Sequence, residues 1–295
     1  MNPSRQAGRR ASVRFPVRSC FFAVAVIVAA SLLGAASESY RAQLDEWRRQ
    51  REAALRADGG WLTVTGLFWL HEGANTFGAA SPNEIVLPAD PALRGGAFDL
   101  HGDRVTLRLD GQIRELRPDS PAPADIVTLG SLTLFVIRRG DRYGIRLKDT
   151  NSRLRKDFTG LHYFPVDEAY RISARFVPDA RKIPIPNILG QVEDTPSPGY
   201  AEFEIHGQKL RLTPVEEPPD KLFFIFRDLT AGKETYGSGR FLDAELAKDG
   251  TVVLDFNKAY NPPCAFTPYA TCPLPPKQNR LPVRIAAGEL KYGSH

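Results

Sequence analysis

The pattern of the chain changes at Gly59-Gly60, and that change limits the fold more than any other feature. Before it, residues 39–58 place Tyr40, Leu44, Trp47, Arg51, Ala54 and Leu55 at three- and four-residue spacing. That is the stripe of an amphipathic helix. Ser39 suits an N-cap and the glycine pair a stop, so one helix is expected over 38–60. After Gly60 the period is two. Short runs rich in β-branched and aromatic residues alternate with Gly, Asp, Asn and Pro turns, as at Asp110-Gly111. Strands are expected at 61–70, 84–87, 97–100, 104–109, 112–116, 131–137, 143–147 and 171–177. They continue at 188–193, 200–206, 209–215, 222–227, 236–242, 252–256 and 281–286. The expectation is therefore an all-β fold, an antiparallel β-barrel or β-sandwich preceded by one N-terminal α-helix. Residues 61–295 should form a single β domain.

Residues 1–37 carry a different signal. Arg5, Arg9, Arg10, Arg14 and Arg18 precede an apolar run from Cys20 to Gly34, and small residues follow. A basic region, an apolar region and a small-residue exit make an export signal. The protein is thus expected to be periplasmic or secreted. The alternative is an inner-membrane anchor, should the leader stay attached, and this would be the chain's only membrane contact. Five of the 39 Lys and Arg lie in the leader, which leaves 34 to face 34 Asp and Glu. The mature chain is near neutral, so nucleic acid is not an expected partner. Oligomeric state is not legible.

Residues 255–280, DFNKAYNPPCAFTPYATCPLPPKQNR, hold six prolines, two cysteines, two tyrosines and three asparagines. In an exported chain Cys264 and Cys272 read first as a disulfide clamping a stiff loop. For a loop this short the chain-entropy gain is roughly 2.5 kcal/mol. Two thiolates without a nearby histidine are half a zinc site, so no metal is expected. Nor does the segment supply a base for a catalytic thiolate.

Strand alternation over 234–242 puts Glu234, Tyr236, Ser238 and Arg240 on one face, with Gly237 and Gly239 on the other, where they permit close approach. Asp255 and Asn257 share a face with Val253, and the LFFIF run at 222–226 is apolar on both faces, as a central strand would be. Asp228, Glu234, Tyr236, Arg240 and Asp255 converging would make a ligand site. Individually, Glu234, Arg240 and Asp255 read more readily as structural Arg–carboxylate pairs than as catalytic groups. No zincin, nucleophile-elbow, phosphate-loop or dinucleotide motif is present, so no cofactor is expected. His71 and His162 stand alone, and the basic run at 146–157 reads as a solvated loop.

GWLTVTGLFWLHEGANTFG (60–78), GIRLKDTNSRLRKDFTGLHYFPVD (144–167), LFFIFRDLTAGKETYGSGRFL (222–242) and the run from Asp255 to Val283 resemble the bacterial and archaeal domain of unknown function 1684. The resemblance spans about residues 40–292. It implies a shared fold and no particular activity. Together with the face argument it marks Arg146, Asp149, Arg227, Asp228, Glu234, Tyr236, Arg240, Asp255, Asn257, Tyr260, Asn261 and Asn279 as ligand-binding candidates, beside Cys264 and Cys272. Three functions stay open. One is binding of a small polar or amphiphilic ligand, and another is hydrolysis using Asp255 or Glu234 with Arg240. The third is a structural or interaction role at the envelope.

Overall fold

The computed structural model describes residues 18–88, 95–217 and 221–293. The basic part of the leader, Arg5 to Arg14, lies outside the described residues. The chain divides into two units, one ending at Glu46 and one running Trp47–His295. Helix α1 spans Arg18–Arg56, so it does not begin at Ser39 as the cap pattern suggested. Ser39 lies inside it and its Oγ accepts a bond from Gln43 Nε2, four residues on, at 3.4 Å. The Ala-rich stretch before it continues the helix because nothing there breaks it. The stop is as expected. The Gly60 amide donates to Ala57 O at 2.7 Å, and a Cβ at Gly60 would collide with the carbonyls of Ala54 and Leu55.

The rest is strand and turn. The first nine strands are β1 (Val64–Trp69), β2 (Gly73–Gly78), β3 (Ile85–Val86), β4 (Gly96–His101), β5 (Arg104–Leu109), β6 (Gln112–Leu116), β7 (Val127–Leu129), β8 (Leu132–Arg139) and β9 (Arg142–Asp149). They make two open sheets, β3-β2-β4-β5-β6 and β1-β9-β8-β7, around a core containing Phe77, Phe98, Leu107, Leu134 and Ile145. A one-turn helix, α2 (Arg153–Lys156), leads on. The remaining strands are β10 (Arg171–Pro186), β11 (Val192–Ile205), β12 (Gln208–Leu212), β13 (Val215–Glu217), β14 (Lys221–Phe226), β15 (Arg240–Glu245) and β16 (Thr251–Asp255). These form β12-β11-β10-β16 and β13-β14-β15, which share a core of Phe203, Phe224, Phe226, Leu242, Leu254 and Phe256.

None of these sheets closes on itself, so the fold is sandwich-like and the barrel alternative drops out. Three expected strands also move. Residues 188–190 are the turn of the β10–β11 ribbon, closed by Asn187 Oδ1, which accepts from Leu189 N and Gln191 N at 2.9 and 3.1 Å. Residues 281–286 are irregular and donate the Leu281 amide to Arg227 O at 2.7 Å. The strand expected at 236–242 starts only at Arg240, because 228–239 is a run of turns organised by Thr230.

Candidate functional site

Strand β14 pairs β15 antiparallel, with Phe223 opposite Asp243, Lys221 opposite Glu245 and Ile225 opposite Phe241. Alternation sends Leu222, Phe224, Phe226, Arg240 and Leu242 into the core and those six residues to the other face. At one end of that face Ile225 and Phe241 are covered by Ile183, Ile185, Ala270 and Cys272. Beyond this cover the face stays open. It becomes the floor of a cleft of about 1050 Å³, walled by Trp47 and Arg51 of α1, by Trp61, and by Val253, Asp255, Lys258, Tyr260 and Pro263.

Aromatic rings run through it in contact. Trp47 meets Tyr260 at 6.5 Å between centroids, Tyr260 meets Phe241 edge-on at 5.8 Å, and Phe241 meets Phe223 edge-on at 4.8 Å. Such tilted and edge-on pairs fix each ring's orientation. The Arg51 guanidinium lies 4.6 Å from the Tyr260 ring centre and is immobilised by its own bonds, to Glu289 Oε1 at 3.0 Å and Asn261 O at 2.9 Å. Glu289 is fully buried. Burial raises its pKa, against the pull of Arg51 and of the Asn261 amide, which donates to its other oxygen at 2.8 Å.

Asp243 is the notable charge on the floor. Solvent reaches it along the cleft, yet protein encloses its other sides, and that enclosure raises its pKa. A hydrogen bond from Tyr260 and the charges of Arg51 and Lys221 oppose the rise. The carboxylate is thus a solvent-accessible acceptor on the floor beside an aromatic wall.

The residues singled out from sequence scatter. Asp255 and Tyr260 line the cleft, with Val253 on the same strand face as Asp255. Arg240 is 1% exposed and spans to the last segment of the chain, donating to Ile285 O at 3.1 Å, to Ala287 O and to Asp228 Oδ1 at 3.3 Å. Asp228 in turn accepts from Ile285 N at 2.7 Å and Thr230 Oγ1 at 2.7 Å. Burial lowers the Arg240 pKa while Asp228 supports it. Glu234 faces outward and pairs with Arg284, which holds its carboxyl below the ordinary range. Tyr236 donates its hydroxyl to Cys264 O at 3.1 Å. The acid–base set of Asp255, Glu234 and Arg240 is therefore not assembled in one place.

The asparagines tie backbone. Asn257 exchanges bonds with the Asp167 backbone at 2.9 and 3.1 Å, and Asp255 Oδ1 accepts the Asn257 amide at 3.2 Å. Asn261 Nδ2 donates to Leu290 O at 2.7 Å. Asn279 accepts from Thr213 N and donates to Thr213 O and Ile225 O, all within 2.9 Å. Arg227 is exposed, and Asp149 accepts the Asn151 amide at 2.8 Å. Arg146 is buried behind the cleft, 5.3 Å from the Trp61 ring centre, and reaches Thr271 Oγ1 at 3.3 Å. Burial and Arg139 bring its pKa down to about 10.

Cys264 and Cys272 adjoin as free thiols, not as the expected disulfide, with the Cys264 amide donating to Cys272 Sγ at 3.1 Å. The hydrogen bond between the two side chains splits their acidities. Cys264 is lowered, and Cys272, which is also buried, is raised. Among the described residues no three His, Cys, Asp or Glu group closely enough to hold a metal.

Residues 156–290 match the family described as protein of unknown function (DUF1684). The chain belongs to this family. The matched stretch contains β10 to β16 and the Cys-Pro segment and leaves the 60–78 motif outside. A solution NMR structure of an uncharacterized protein of Haloarcula marismortui is 31% identical, over 48% of this chain and 81% of that one, with a TM-score of 0.41. No curated protein matches.

Sequence reasoning missed Asp243, Phe223, Lys221, Arg51, Trp47 and Trp61 as neighbours. The signal for Asp243 was present. The alternation Phe241, Asp243, Glu245 continues past Leu242, where the expected strand ended.

Proposed function

We propose that this protein is an exported domain that binds a small polar or amphiphilic ligand in the Asp243 cleft. The observation that carries this reading is the combination in one concavity of partly exposed aromatic rings with an accessible carboxylate, Asp243. Binding sites are typically built that way, from apolar walls with a few placed polar groups. Two of the three tryptophans, Trp47 and Trp61, line the cleft, so intrinsic fluorescence reports its occupancy directly. A compound library read by tryptophan emission and thermal shift should contain stabilisers whose effect is lost in Trp61→Ala. Stabilisers acting equally on parent and variant would count against the cleft.

Export rests on the leader. N-terminal sequencing of protein from fractionated cells should find either a start near residue 38, for cleavage, or the intact leader in the membrane fraction, for an anchor. Recovery of the full chain from the soluble cytoplasmic fraction would refute both. In an oxidising compartment the adjacent thiols are placed to close by exchange with a partner disulfide, and labelling of Cys264 and Cys272 only after reduction is the expected sign.

A further inference from the structure

We propose that the occupant of this cleft is a neutral polyhydroxylated ring, a sugar unit, held by stacking on Trp47, Trp61 and Tyr260 and by paired donors and acceptors along the floor. The inference rests on the ligand-binding reading above and narrows its chemistry.

The first ground is charge. Arg51, Arg171, Lys221 and Lys258 line the cleft, against Asp243, Glu245 and Asp255. Most of these are matched locally. Lys221 stands directly opposite Glu245 on the β14–β15 ladder, and Arg171 stands opposite Asp255 on the β10–β16 ladder. Oppositely charged cross-strand neighbours on one face attract. Arg51 is bonded to Glu289, just beneath the wall. With Glu289 counted, cations and carboxylates balance. A charged ligand would surrender its hydration and meet no net opposite charge. A ligand bearing hydroxyls meets guanidinium and ammonium donors beside carboxylate acceptors, and each hydroxyl can both give and take a hydrogen bond. Bonds to ionised partners are the stronger kind.

The second ground is shape. Trp47, Trp61, Phe223 and Tyr260 are each partly exposed in the cleft; the Trp47–Tyr260–Phe241–Phe223 contacts fix the orientation of three of them in advance, and Trp61 has the Arg146 guanidinium 5.3 Å from its ring centre. Arg51 is locked as well, so the wall is ordered before anything binds, which lowers the entropy cost of binding. A pyranose has an apolar C–H face and a polar edge. That is the pairing an aromatic wall above a carboxylate floor accommodates. At about 1050 Å³ the cleft exceeds the space one such ring needs, so short oligosaccharides are better ligands than monosaccharides.

The test is a fluorescence titration of the purified chain with three probe sets. The neutral set is maltotriose, cellotriose and di-N-acetylchitobiose. The anionic set is decanoate and phenylacetate, and the cationic set is choline and phenethylamine. At least one neutral oligosaccharide should shift tryptophan emission saturably. The apparent affinity should fall at least tenfold in Trp61→Ala and in Asp243→Ala, and should hold in Trp69→Phe, whose ring lies against Arg142 outside the cleft. Circular dichroism of each variant confirms folding. Saturable binding of an anion or cation alone, with the same variant sensitivity, would overturn the sugar assignment and leave the cleft as the ligand site. Failure of all three sets overturns both.

Discussion

Arg240 and Glu234 lie six residues apart, and their surroundings assign them opposite weights. Arg240 is sealed in the core with Asp228 and two carbonyls as partners. Its removal leaves a buried carboxylate and several acceptors stranded. Arg240→Ala should cost about 3–5 kcal/mol in urea unfolding. Glu234→Ala breaks an exposed pair with Arg284 and should cost about 0–1 kcal/mol. Equal losses would refute this difference between the two pairs. Asp243 behaves differently again. Its folded pKa is raised above the ordinary carboxylate value of 3.8, so folding favours its protonated form. The stability it contributes is present below the unfolded pKa and is lost as pH rises through the folded one. Asp243→Asn keeps an acceptor for Tyr260 and removes that loss. The variant should therefore melt at or above the parent at pH 7, and the difference should shrink as pH falls toward 3.8. A parent that melts higher at pH 7 would sink this account.

At the level of elements, legibility followed the turn chemistry. The hairpin joining β4 and β5 and the one joining β5 and β6 stand where their Gly-containing turns put them, because a positive φ at Gly102 and Gly111 permits few alternatives. The ribbon of β10 and β11 was legible only in part. Pro178, Pro184, Pro186, Pro196 and Pro198 argue against long strands. The ladder tolerates them through a register shift between Pro178 and Arg181 and by docking its tip on the Cys-Pro segment, where Ile188 N donates to Cys272 O at 3.0 Å. Glu234 to Gly239 looked like strand because polar and small residues alternate, yet Gly239 takes φ of +105° to let the chain pass the Phe226 carbonyl. Ending that strand at Leu242 hid Asp243, the next residue of β15. The Cys-Pro segment supplies part of the cleft wall through Tyr260 and Pro263, and its two thiols differ. In protein kept reduced at pH 8, iodoacetamide should modify the half-buried, acid-shifted Cys264 about tenfold faster than the buried Cys272. Peptide mapping by mass spectrometry reads the order, and faster modification of Cys272 would contradict the split.

For the molecule as a whole, the cleft joins two parts of the sequence that the family match separates. Strands β14 to β16 lie within 156–290, whereas Trp47, Arg51 and Trp61 lie before it. The end of α1 is therefore part of the domain and not a spacer ahead of it. Leu55 is 1% exposed in a cluster with Leu62, Phe158 and Phe266, and Arg51 is the cation on Glu289. A chain starting at residue 38 retains all of this and should unfold cooperatively. A chain starting at residue 61 keeps every strand yet leaves Glu289 buried with its cation gone. Breaking a buried pair from one side costs about 3–5 kcal/mol, before the loss of Leu55 packing is counted. The shorter chain should accordingly melt well below the longer one or fail to fold. Part of its deficit should return at acid pH, where Glu289, already raised by burial, takes up a proton and no longer needs a partner. Thermal melts of the two chains at pH 7 and pH 5 decide this. A 61–295 chain as stable as 38–295 at pH 7 would show that α1 is dispensable to the sheets, and the cleft would lose one of its walls as a fixed feature.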